Sequence, residues 1–275
     1  MRIVALDIGS VATKAVMWSD GDILAKSLTL TAWQPREAVD EALRALFEQC
    51  PDGEKPAALA ATGYGRGLAD AGGRLAEILN GPVLEFNEIS ALGRGLSSVD
   101  PASRLVLDVG GQDSKALKID GQGRVLDFIM NDKCAAGAGV FVDSVRQSYN
   151  LSHEEFGRLA AQGTPVSLSS MCAVFAQTEL VAQIARGVSR ADLAAGVLAS
   201  LATRLRTQCG RLFSREPVAL TGGLSRLPVF AEYLSRSLEA PVTVPPDAPY
   251  LAALGAALMA AKKMERVEEK WSPKV

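Results

Sequence analysis

Two short stretches of this chain carry the residue types that hold a phosphate group and a divalent metal. Asp7-Ile-Gly9-Ser10-Val-Ala-Thr13-Lys14 ends one apolar run, and Asp108-Val-Gly110-Gly111-Gln112-Asp-Ser114-Lys115 ends another. A carboxylate at a strand end can hold Mg2+ directly or through its waters, and small residues let backbone N–H groups close on phosphate oxygens. Ser10, Thr13 and Ser114 add hydroxyl donors, and Lys14 and Lys115 add positive charge. One such stretch alone is more often a strand end with a tight turn. Two copies with the same Asp-x-Gly and the same hydroxyl-Lys pair, 101 residues apart (108 minus 7), read as two phosphate loops that clamp a nucleotide from both sides. Thr221-Gly222-Gly223 is a third glycine turn, suited to the adenosine side, and no Gly-x-x-x-x-Gly-Lys-Ser/Thr occurs, which excludes a P-loop.

Cys134 and Cys172 each stand immediately before an apolar-periodic helical stretch, where a helix N-terminus favours the thiolate, and Lys133 beside Cys134 favours it further. A 4Fe-4S cluster usually takes four cysteine thiolates; one chain offers two in such settings, so two copies about a two-fold axis would supply four. From the residues alone, the alternative is that both are small buried hydrophobes. For Cys50, which closes a helix before Pro51, and Cys209, inside a long helical stretch, that alternative is the preferred reading.

The elements that must position these residues repeat. Apolar stretches at 2–7, 14–18 and 23–30, then 104–109, 115–119 and 124–130, predict two three-stranded meanders, with Asp20-Gly21 and Asp120-Gly121 as matching tight turns. Helical periodicity covers 35–49, 87–98, 134–149, 152–162, 173–187 and 189–213, with Ser152 and Ser189 as N-caps. Strands at 217–221 and 241–244 and helices at 228–238 and 249–263 complete two α/β lobes with a cleft between them. The expected division is 1–97 plus 249–263 for lobe I, 98–248 for lobe II, and a frayed charged tail at 264–275.

Composition narrows the function. The chain has 275 residues, 48% hydrophobic and 22% charged, with a net charge of −2, which gives no general attraction to nucleic acid or anionic lipid. The single histidine, His153, reads as a surface residue and leaves no room for His-rich zinc sites or most Ser-His and Cys-His nucleophiles. MRIVALDIGS reads as a first strand rather than a signal peptide, and no run of apolar residues is long enough to span a membrane. A cytoplasmic protein is expected.

DIGSVATK, LDVGGQDSK and LTGGLSRLP resemble the two phosphate motifs and the adenosine motif of the acetate kinase, sugar kinase, Hsp70 and actin superfamily. That resemblance implies a duplicated ribonuclease-H-like, two-lobed ATPase fold in the α/β class, with ATP or ADP between the lobes. By it, Asp7 and Asp108 serve Mg2+, and Gln112 positions the attacking water or the terminal phosphate. NDKCAAGAGVFVD and SSMCAVFAQTE are similar to the two cluster-binding segments of the activators of 2-hydroxyacyl-CoA dehydratases, a family that includes ATPase subunits of benzoyl-CoA reductases. The likeness runs from Arg2 to about Ala261 and includes Ala61-Thr-Gly-Tyr-Gly-Arg66; it departs at Ala91-Leu92, where relatives often carry a Cys-His pair. It implies a homodimer with one bridging 4Fe-4S cluster on Cys134 and Cys172. Such a dimer takes electrons from a ferredoxin- or flavodoxin-like donor and drives them by ATP hydrolysis into an iron-sulfur acceptor protein. A small-molecule kinase of the same superfamily is the alternative, and an ATP-switched binding or scaffolding protein is a third reading.

Overall fold

The computed structural model describes residues 1–31, 33–50, 53–70, 79–131, 139–168, 173–213 and 216–271. Two compact units divide the chain: Met1–Pro101, Gly121–Val125 and Tyr250–Val275 form one, Ala102–Asp120 and Leu126–Pro249 the other.

The first unit is built on β1 (Arg2–Ile8), β2 (Ala12–Ser19), β3 (Asp22–Leu30), β4 (Ala58–Thr62) and β5 (Val83–Glu85), in the order β3-β2-β1-β4-β5. The first three strands are an antiparallel meander and the last two run parallel to β1. Asp20 and Gly21, both at positive φ, close the first hairpin as an Asp-Gly pair does best. β1 is buried along its whole length, so both its faces need a helix. Val4, Leu6 and Ile8 pack with Val39, Leu43 and Leu46 of α1 (Pro35–Glu48). Ile3 and Ala5, alternating onto the other face, are equally buried. α8 (Leu251–Trp271) lies against β1 and β4 and pairs with α2 (Glu88–Val99), whose N-cap Asn87 accepts from the N–H groups of Ile89 and Ser90.

The second unit repeats the plan with β6 (Leu105–Val109), β7 (Ser114–Ile119), β8 (Val125–Asn131), β9 (Val218–Thr221) and β10 (Val242–Thr243), ordered β10-β9-β6-β7-β8. Its core gathers Phe156 from α4 (His153–Ala161), Leu198 and Leu205 from α6 (Arg190–Cys209) and Phe230 from α7 (Pro228–Leu238) over Leu107 and Leu220. α3 (Gly139–Ser148) and α5 (Ala173–Ala185) complete the described helices. Ser152 and Glu155 form a reciprocal capping box at α4, and Ser189 caps α6.

Two expectations are corrected. Asp120-Gly121 does not form a tight turn like Asp20-Gly21. The connection runs on to Gly123, at φ 75, because the Gln122 carbonyl accepts from Arg94 and Gly123 sits close to the Gly93 carbonyl. The charged tail expected to fray from residue 264 onward is helical over 264–271, since good helix formers carry α8 on to Trp271. His153, partly exposed as expected, has its Nε2 3.1 Å from Asp143 Oδ1.

Candidate functional site

The two Asp-Lys pairs occupy equivalent places in the two sheets. Asp7 stands opposite Lys14 across β1–β2 and opposite Thr62 across β1–β4. Asp108 stands opposite Lys115 across β6–β7 and opposite Thr221 across β6–β9. Residues opposite one another share a face of the sheet, so each unit presents an Asp, a Lys and a Thr together at the carboxyl end of its central strand.

The two sets are wired differently. In the first, Lys14 Nζ lies 2.9 Å from Asp7 Oδ2. Thr62 Oγ1 donates to the Phe86 carbonyl instead of to Asp7, which leaves the buried Asp7 Oδ1 without a hydrogen-bond partner. In the second, Thr221 Oγ1 donates to Asp108 Oδ1 at 2.7 Å, while Lys115 Nζ sits 2.7 Å from Asp113 Oδ2 and 3.6 Å from Asp108 Oδ2. A buried carboxylate oxygen left unpaired costs stability, and it is the donor a hydrated cation needs. Mg2+ keeps several waters and takes one or two carboxylates plus phosphate oxygens; Asp7, with one oxygen in hand, fits it better than Asp108, both of whose oxygens face donors.

After each central strand the chain makes the same turn: Gly9 N–H donates to the Ala12 carbonyl (3.2 Å) and Gly110 N–H to the Asp113 carbonyl (3.0 Å). Ser10 and Gln112 are exposed at the loop crests. Thr13 and Ser114 are not exposed: Thr13 shares a hydrogen bond with Thr31, and Ser114 donates to Gln208 Oε1 on α6. Both hydroxyls brace the loops from inside the units.

A feature that the motif spacing alone did not bring out is a second Thr-Gly turn. Thr62-Gly63 ends β4 as Thr221-Gly222 ends β9, with φ of 90° and 80° at the two glycines. A Cβ on Gly63 would stand 2.6 Å from Asp7 Oδ1, and one on Gly222 2.6 Å from the Val109 carbonyl, so both turns need glycine to lie against the end of the central strand. Gly223 then opens a single 3-10 turn, Gly223–Arg226. The signal was present in Ala-Leu-Ala-Ala-Thr62-Gly63 and Val-Ala-Leu-Thr221-Gly222, two apolar runs ending alike. Beside the first loop a cavity of about 460 Å³ is lined by Ser10, Thr31, Pro35, Tyr64 and Leu68 among others.

The chain matches the model of the BadF/BadG/BcrA/BcrD ATPase family over residues 4–260. It belongs to that family of ATPases. The protein YjiL of Escherichia coli (strain K12) is 37% identical over 256 residues, covering 93% of this chain and 95% of its own. The 2-hydroxyisocaproyl-CoA dehydratase activator of Clostridioides difficile is 33% identical over 264 residues, covering 94% and 95%. The solved structure of the activator of the 2-hydroxyisocaproyl-CoA dehydratase from Clostridium difficile with bound ADPNP superposes with a TM-score of 0.86 at 30% identity, covering all of both chains. The two-lobed actin- and Hsp70-like fold is shared with a glucokinase from Streptomyces griseus, at a TM-score of 0.60 and 15% identity.

In this ATPase the four cysteines separate. Cys209 is fully buried in the second core, and burial pushes its thiol up to about 11, so it stays protonated at neutral pH. Cys50 packs against the first core. Cys134 and Cys172 lie outside the described residues. The elements nearest them in the chain are β8 and α3 around Cys134, and α5, whose first residue, Ala173, follows Cys172.

Proposed function

We propose that this ATPase is an activator: ATP hydrolysis at its phosphate loops drives a low-potential electron from a cluster shared by two copies into an iron-sulfur acceptor enzyme. The acceptor is of the 2-hydroxyacyl-CoA dehydratase or double-cubane kind. The observation that carries the reading is the duplicated Asp-Lys-Thr set, one at each phosphate loop, in a chain of this family. Asp7 is assigned to Mg2+, with its unpartnered Oδ1 toward the ion's water shell, and Asp108 is the second acidic group, oriented by Thr221. Beyond the turn bonds made by Gly9 and Gly110, the N–H groups of Ser10 and Gly111 receive the phosphates, and exposed Gln112 positions the attacking water. Gly222 and Gly223 take the adenosine side.

Cys134 and Cys172 of each copy are assigned to one 4Fe-4S cluster per homodimer, which supplies a one-electron store of low potential when bound. Support comes from resemblance, and also from the setting of the two described cysteines, since Cys209 lies within the second core and the partly buried Cys50 packs against the first.

The test is purification without oxygen followed by iron, sulfide and ATPase assays. About four irons per two chains, lost in both Cys134→Ser and Cys172→Ser while ADP binding persists, is the expected result. Iron-free protein whose ATP turnover requires an added hydroxyl or carboxylate acceptor would replace this reading with the kinase one.

A further inference from the structure

The first phosphate loop is held from behind by one residue. Ala12 stands opposite Leu30 in the β2–β3 register, so the next pair outward is Val11 with Thr31. The ladder does run that one step on, since Thr31 N–H donates to the Val11 carbonyl at 2.9 Å. The Thr31 hydroxyl reaches further along the loop and donates to the Gly9 carbonyl at 2.8 Å.

A hydroxyl has one proton, and a carbonyl only accepts. With the Thr31 proton on the Gly9 carbonyl, the 3.1 Å contact between Thr31 Oγ1 and Thr13 Oγ1 has Thr13 as its donor. Two buried threonines thus form a directed chain that runs from Thr13 to Thr31 to the Gly9 carbonyl. Each bond in such a chain polarises the next.

A trans peptide places its C=O and the following N–H on opposite sides. A Gly9 carbonyl fixed toward Thr31 therefore turns the Ser10 N–H away from Thr31. Among the described residues that N–H donates no hydrogen bond. It is the donor assigned above to a phosphate, and its direction is set from the far side of its own peptide unit.

We propose that Thr31 is a positioning residue for ATP hydrolysis: it fixes the rotation of the Gly9–Ser10 peptide unit and so aims the Ser10 N–H at a phosphate, while Thr13 orients the Thr31 hydroxyl. Both threonines act through the loop backbone. This rests on the phosphate-loop assignment of the proposed function and deepens it.

Thr31→Val keeps the branched shape and the N–H but removes the hydroxyl. Thr31, Gly9 and Ser10 all line the cavity of about 460 Å³ beside the loop. Water entering there can solvate the freed Gly9 carbonyl, so the variant is expected to fold with that peptide unit free to turn. In steady-state assays of the full-length protein, Thr31→Val should lower kcat by about tenfold with KM for Mg·ATP little changed, short of the ~10²–10³ lost when an oriented donor is removed outright. Thr31→Ser returns the hydroxyl and should restore turnover. Thr13→Val removes only the first link and should lower kcat by less. Ser27→Ala is the control: on the same strand, Ser27 Oγ donates to the Ala42 carbonyl of α1 at 2.7 Å. It loses a buried bond of the same kind and should lower the melting temperature without lowering kcat.

Amide exchange at Ser10, followed by NMR with and without Mg·ADPNP, separates the two levels of the argument. Slower exchange in the nucleotide-bound wild type is expected. Exchange unchanged by bound nucleotide would overturn the loop assignment and the role of Thr31 with it. Slowed exchange combined with wild-type turnover in Thr31→Val, or with an equal loss of turnover in Ser27→Ala, would overturn the role of Thr31 alone. Should Thr31→Val not fold, wild-type turnover in Thr13→Val would do the same. Iron-free protein with the expected pattern would instead sink the cluster assignment and leave Thr31 in its role.

Discussion

Replacing Gly255 by alanine tests how α2 and α8 meet. A Cβ at Gly255 would lie 1.7 Å from the Ala91 carbonyl oxygen, 2.5 Å from its carbon and 2.8 Å from Gly95 N. An ordinary carbon–oxygen contact is near 3.2 Å or more, so the helices must part by roughly 1.5 Å to admit one methyl group, and no rotamer change can absorb the clash. Overpacking of this kind costs about 1–3 kcal/mol and occasionally more; rigid backbone on both sides places this site at the upper end. Alanine's better helix propensity returns about 1 kcal/mol, leaving a net loss of about 2 kcal/mol. At ~2–4 °C per kcal/mol for a chain of this size class, the melting temperature should fall by roughly 4–8 °C. Calorimetry of Gly255→Ala beside Gly67→Ala, where nothing lies within 4 Å of the added Cβ, separates the clash from any general effect of losing glycine. Gly95→Ala should cost a similar amount, because its Cβ would meet the Leu251 carbonyl at 1.9 Å. The double variant should cost less than the two together, since one displacement relieves both. Gly255→Ala melting within about 1 °C of wild type, less than 1 kcal/mol on that scale, would refute the backbone-to-backbone contact.

Asp7→Asn should lower ATP turnover by more than tenfold with little change in melting temperature, measured by phosphate release at saturating Mg·ATP; unchanged turnover would remove Asp7 from the metal site. Thr221→Val strips the buried Asp108 Oδ1 of its donor and should cost about 1–3 kcal/mol in urea unfolding. Asp143 is pushed up by burial but held below the usual carboxylate range on balance by hydrogen bonds from His153 and Arg146. Its folded pKa is therefore depressed: the stability it contributes is present above the unfolded value of 3.8 and is lost as pH falls through the lower folded value. Asp143→Asn should flatten that acid limb of the stability curve. Iodoacetamide at pH 8 should leave Cys209 unmodified while the protein is folded, since a thiol near 11 is only about one part in a thousand ionised there; rapid labelling would contradict its burial.

The repeated meanders were legible in the residues because Asp-x-Gly, hydroxyl-Lys and the strand alternation recur together. β4 and β5 were not. Ala58-Leu-Ala-Ala-Thr62 is alanine-rich, has low strand propensity, and is buried on both faces, so it shows no alternation. β5 has only three residues. Thr13 and Ser114 lie inside their units for a reason that register supplies. Lys14 and Lys115 stand opposite the aspartates, so the residue before each lysine points to the other face of its strand. The spacing of Asp and Lys could be read from the chain; which face each hydroxyl took depended on that register. The connection after β7 could not be anticipated from the first hairpin either, because Gly123 answers to α2 and not to its own turn.

The division of the chain has a consequence for synthesis. The first unit's strands emerge from the ribosome first, yet their second helical cover, α8, begins only at Leu251. The second unit, nearly contiguous between Ala102 and Pro249, is complete before that. Domains generally fold as units as they are made, at about 5–20 residues per second. The second lobe can therefore close while the sheet of the first still shows one apolar face, for a span set by translation speed and not by the lobe's own folding rate. Nascent chains arrested before Leu251 should accordingly be the ones that chaperones hold longest.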